Sequence, residues 1–75
     1  MRKIYIDLDN GRLVKDFVDA IGSLQGSFEL ISGRTVLDAK SILGIYCLNL
    51  SERILLHIDQ DTEENIEALK NFFAK

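Results

Sequence analysis

The chain opens on an alternation. Ile4, Ile6 and Leu8 are separated by Tyr5, Asp7 and Asp9, the period-two pattern of a strand with one apolar side. The period then lengthens. Leu13, Val14, Phe17, Val18, Ile21 and Leu24 recur at helical spacing, with Lys15, Asp16 and Asp19 on the opposite side, so an amphipathic helix follows. Asn10 stands at the N-cap of that helix and Gly26 comes after its end. Residues 28 to 31 and 35 to 37 read as two short strands around the hairpin turn Ser32-Gly33-Arg34. A short apolar helix is predicted from Ser41 to Cys47. Residues 53 to 59 turn Ile54, Leu56 and Ile58 to one side of a fourth strand. The segment Asp61-Thr62-Glu63-Glu64 has the capping-box character of a helix start, and Ile66, Leu69 and Phe73 are expected to face inward.

The order β-α-β-β-α-β-α predicts an α+β fold in one domain, residues 1 to 75. Strands that are apolar on one side only suit a four-stranded antiparallel sheet with all three helices on one face.

Composition narrows the functional classes. The net charge of −3 gives no long-range attraction for nucleic acid or an anionic membrane. The opening residues have no apolar leader, and no apolar run is long enough to span a bilayer. Cys47 is the only cysteine, which fits a reducing compartment and a cytoplasmic location. A protein partner or a small ligand remains.

No self-contained active site can be read from the residues. The five glycines are scattered, so no phosphate loop is present. One histidine and one cysteine far apart make no metal site, and no cofactor is implied. His57, within the fourth strand, reads as a half-exposed strand residue, and Cys47 as a small buried hydrophobe. Asp7, Asp9, Asp59 and Asp61 flank strand ends, where carboxylates serve turns and caps. Glu63, Glu64 and Glu67 read as the solvent face of the last helix. The chain is expected not to be an enzyme.

The segment Lys40-Ser41-Ile42-Leu43-Gly44, together with the element order and the length, resembles HPr, the histidine-containing phosphocarrier of the bacterial sugar phosphotransferase system. The resemblance runs from Lys3 to Phe73 and implies the open-faced β-sandwich of that family. It also exposes a loss. HPr relays phosphate through a histidine in a Gly-x-His-Ala-Arg-Pro motif. Counting back from Ser41 without a gap places Asn10 at the histidine, Gly11 at the alanine, Arg12 at the arginine, Leu13 at the proline and Leu8 at the glycine. An imidazole nitrogen is nucleophilic near neutral pH, whereas the nitrogen lone pair of an amide is delocalised into its carbonyl. Phosphate relay through Asn10 is therefore not expected. Gly11 and Arg12, at a helix start, retain the elements of an anion contact.

Ser41 has two compatible readings. As an N-cap, its hydroxyl contributes about 1 kcal/mol. By resemblance, it corresponds to the serine that HPr kinase phosphorylates, after which HPr binds a transcriptional regulator in catabolite repression. HPr-like paralogues that keep the serine without the histidine act only in that regulatory branch. On this reading Lys40, Ile42, Leu43 and Tyr46 form the partner-binding surface, with Leu43 or Tyr46 exposed, Ile45 and Leu48 buried, and Arg12 close enough to pair with a phosphate on Ser41. The alternative is a degenerate scaffold or interaction module that is never phosphorylated. A monomer or weak homodimer is expected.

Overall fold

The structure, a computed structural model, describes residues 1 to 75. Strands β1 (Arg2–Ile6), β2 (Phe28–Ser32), β3 (Thr35–Asp38) and β4 (Ile54–Ile58) form one antiparallel sheet in the order β1-β4-β2-β3. Helices α1 (Val14–Gly22), α2 (Ile42–Ile45) and α3 (Glu63–Leu69) cover one face, and a 3-10 turn (Lys70–Phe72) follows α3. The predicted order and fold class are those observed.

Period-two patterning explains the covered face. Ile6, Phe28, Leu30, Ile54, Leu56 and Ile58 point into the core and are buried there. The helices answer with Val14, Phe17, Ile21, Ile45 and Leu69. Phe17 meets Phe72 edge to face, with ring centroids 5.3 Å apart, a geometry favoured by the ring quadrupoles. The inward residue near the C-terminus is thus Phe72, while Phe73 is only half-buried. The chain leaves α3 through a 3-10 turn, which shifts the helical phase by one residue. Phe73 instead lies along β1, where Asp7 N–H donates to Phe72 O at 2.9 Å and Ala74 N–H to Tyr5 O at 2.9 Å.

Three local expectations change. The hairpin turn is two residues long, because Ser32 pairs with Thr35. Gly33, with φ +59, holds the first central position, where a type II′ turn requires a positive φ. The capping box at α3 is half made. The Thr62 hydroxyl accepts the Asn65 N–H at 3.2 Å, but the third helical residue is Asn65 rather than a glutamate. Its side chain donates to Gln25 O at 3.1 Å and Gln60 O at 2.9 Å, tying two loops to the helix. The sheet is also not apolar on one side only. Its open face carries Tyr5, Leu55, Ile31 and Val36 in adjacent register positions. No helix is long and apolar enough to cross a membrane.

Candidate functional site

The two motifs singled out by the sequence lie on neighbouring loops above the helical side of the sheet. Ser41 begins α2. Its backbone is extended, with φ −90 and ψ 98, and its hydroxyl accepts the Gly44 N–H at 3.3 Å. This is the N-cap anticipated, satisfying a donor that the first turn leaves free. Gly44 has a part in it that the sequence reading missed. A Cβ at Gly44 would stand 3.1 Å from Ser41 Oγ and 3.6 Å from Leu37, so the missing side chain leaves room for the capping hydroxyl. The spacing of serine and glycine by three residues was the available signal.

α2 is shorter than predicted. It ends at Ile45 and continues as turns, with Cys47 N–H donating to Gly44 O and Leu48 N–H to Ile45 O. Cys47 therefore falls on the outer side and is exposed, not buried, its thiol 3.5 Å from Leu43 O. Ile45 is buried and Leu48 half-buried. Three large apolar side chains beside Ser41 face water: Ile42 is 38% exposed, Leu43 79% and Tyr46 54%. Lys40 behaves differently. Its Nζ donates to Leu24 O at 3.2 Å and lies 5.7 Å from the centre of the Phe28 ring, so its ammonium is tied to the end of α1 rather than held ready beside Ser41.

The loop before α1 is built on another plan. Asp9, Asn10 and Gly11 have successive φ values of 52, 56 and 93. Asn10 is not an N-cap. It sits inside a left-handed turn, Asp9–Gly11, and α1 starts after Leu13 with no side-chain cap. The turn is fastened through backbone: Gly11 and Leu13 N–H groups both donate to Leu8 O, and Asn10 N–H donates to Leu50 O at 3.2 Å. Leu8, wholly buried, anchors it, and Asp7 Oδ1 accepts the Asp9 N–H at 2.8 Å. Left-handed backbone is least costly for Asn, Asp and Gly, the residue types found here. A Cβ on Gly11 would lie 3.2 Å from Leu50 Cδ1 and 4.0 Å from Tyr46 Cε1. The loop thus abuts the Tyr46 end of α2, not its Ser41 end, which is about 7 Å further along the helix axis. Arg12 pairs with Asp9, Nη1 to Oδ1 at 3.3 Å, and makes no hydrogen bond to Ser41. The side chain of Asn10 makes none at all.

His57 is half-buried on β4, as the strand pattern implies. Its Nδ1 lies 3.3 Å from Glu29 Oε1, and its Nε2 is buried without a partner. It is on the open face of the sheet, remote in the fold from the helix starts. No group of His, Cys, Asp and Glu side chains is arranged to hold a metal ion.

Neither protein-family models nor curated proteins match the chain. Among solved structures, it superposes on the crystal structure of HPr-C-His from Thermoanaerobacter tengcongensis with a TM-score of 0.76 and 26% sequence identity, covering 95% of this chain and 89% of that one. The element order, the antiparallel sheet and this superposition together establish that the chain has the HPr fold.

Proposed function

We propose that the protein is a non-catalytic, cytoplasmic regulator related to the phosphotransferase system, acting by protein binding at the α2 surface under control of phosphorylation at Ser41. The observation that carries this reading is the exposed Ser41 hydroxyl at a helix start, flanked by exposed Ile42, Leu43 and Tyr46. Phosphorylation there adds nearly two negative charges at the favourable end of the helix dipole. It labels an apolar surface without having to unfold it. A regulator that reads the label would contact Leu43 and Tyr46 through apolar packing and the phosphate through its own cations. Gly11 borders this surface through Tyr46. Arg12 joins only if it leaves Asp9, and Lys40 only if it leaves Leu24. Asn10 stands in place of the phosphoryl-accepting histidine, so the relay of the phosphocarrier is absent.

Intact-mass measurement tests both halves. Incubation with HPr kinase and ATP is expected to add one phosphate that Ser41→Ala abolishes. An unmodified chain beside a modified authentic HPr would sink the switch and leave an unphosphorylated interaction module. Incubation with enzyme I and phosphoenolpyruvate is expected to add nothing. An acid-labile phosphate in that reaction would overturn the reading of Asn10.

A further inference from the structure

The open face of the sheet carries two parallel rows that span all four strands. In one, Tyr5 is opposite Leu55, Leu55 opposite Ile31, and Ile31 opposite Val36. In the next, Lys3 is opposite His57, His57 opposite Glu29, and Glu29 opposite Asp38. The first row is apolar apart from one phenol, and Tyr5 and Val36 at its ends are 53% and 57% exposed. The second runs from a cation at the β1 edge to two carboxylates at the β3 side. No element of the chain covers either row.

We propose that this face is a self-association surface, occupied by a second copy stacked face to face about a two-fold axis that lies along the strands between β4 and β2. Rotation about that axis reverses the strand order but keeps each row at its own level. Lys3 then faces Asp38 of the second copy, and His57 faces its Glu29. Tyr5 faces its Val36, and Leu55 its Ile31. Lys3 thus meets a carboxylate at each end of the polar row, the two His57–Glu29 pairs lie against each other at its centre, and the apolar row closes on itself. An axis running across the strands at the level of the polar row would set Lys3 on Lys3 and Asp38 on Asp38, which like-charge repulsion disfavours. One midway between the rows would set Lys3 on Tyr5 and Glu29 on Ile31, charge against apolar surface. The charge pattern is thus complementary to the same surface turned over, as a two-fold interface requires. Sheets stacked face to face lie about 10 Å apart and within about 30° of parallel, close enough for the central side chains to interdigitate.

The edges offer less. The outer edge of β1 is already taken by the chain's own Phe72 to Ala74. The free edge, β3, is four residues long. The face is small, however. Four strands about 4.8 Å apart and five residues of about 3.4 Å each project roughly 300 Å², so the dimer falls below standard interface size and is expected to be weak. This inference is independent of the fate of Ser41.

Sedimentation velocity on the whole chain, from about 10 µM to 1 mM, is expected to show mass rising from 8.5 kDa toward the dimer. Val36→Glu, at an exposed position, is expected to weaken association at least about tenfold with unchanged circular dichroism. Lys3→Asp is expected to weaken it also, and adding Asp38→Lys to restore it. A chain monomeric at every concentration would overturn the proposal. So would a dimer that Leu43→Asp dissolves and Val36→Glu does not, which places the contact on α2. A dimer indifferent to both changes would overturn it as well, in favour of β3 edge pairing.

Discussion

Two loops lead into helices on the same side of this sheet, and they solve the problem of a helix start in different ways. At Ser41 a side chain accepts the N–H of the residue three positions on, the backbone is ordinary, and everything required is contained in four residues. At Asp9 to Gly11 the backbone is left-handed for three residues, no side chain caps α1, and the loop is fixed by the carbonyls of Leu8 and Leu50. One start is local and removable. The other depends on chain elsewhere, and its conformation persists because the surroundings determine it. The first leaves a hydroxyl in water beside an apolar surface. The second leaves an amide that bonds nothing.

The contrast can be broken most severely at Gly11. Gly11→Val places a branched side chain at φ +93 and against Leu50 Cδ1 at 3.2 Å. It is expected to cost about 2–4 kcal/mol in urea unfolding. A loss below 0.5 kcal/mol, loosely the size of a surface change, would mean the loop relaxes freely; that threshold is of the order expected for neutral surface sites. Next comes Ser41→Ala, expected to cost about 1 kcal/mol through the lost cap. Gly44→Ala sharpens this result. In the native chain its methyl crowds Ser41 Oγ at 3.1 Å, whereas in the Ser41→Ala background that contact is gone. A double-mutant cycle is expected to give a coupling of about 0.5–1 kcal/mol, and additive effects would deny the glycine its part in the cap.

Smaller still is Asn10→Gly. It relieves a left-handed side-chain residue at φ 56 and is expected to stabilise by a few tenths to about 0.5 kcal/mol. Loss of stability would show that the amide has a contact worth keeping. The weakest effect belongs to Asp61, far from both loops. The Met1 ammonium, 3.1 Å away, holds its carboxyl below the usual range. A depressed folded pKa adds stability above the unfolded value that is lost as pH falls through the folded one. Asp61→Asn is therefore expected to lessen the acid sensitivity of the melting temperature slightly, leaving other loops untouched. An unchanged acid limb would show that water screens the pair fully.

Much of the fold was legible because its causes are periodic. Period-two runs at Ile4 and Ile54 and the helical spacing from Val14 to Ile21 have one economical arrangement when they must share a core. Ser41 was legible because a cap is a contact between near neighbours. Cys47 was misread for a related reason: an apolar stretch looks like a longer helix, yet α2 stops at Ile45 and the turns after it rotate the thiol outward. Phe72 and Phe73 exchanged roles at another such change of phase.

Residue type and short spacing were enough for the order of the elements, the covered face of the sheet and the cap at Ser41. The long-range contacts came from the folded chain. It drew the Asn10 N–H to Leu50 O across 40 positions of chain, and it tied Lys40 to the end of α1. It also aligned Tyr5, Leu55, Ile31 and Val36 into one row from four separate strands. Strand register and loop closure couple residues far apart in the chain, and no local pattern records which of them will meet.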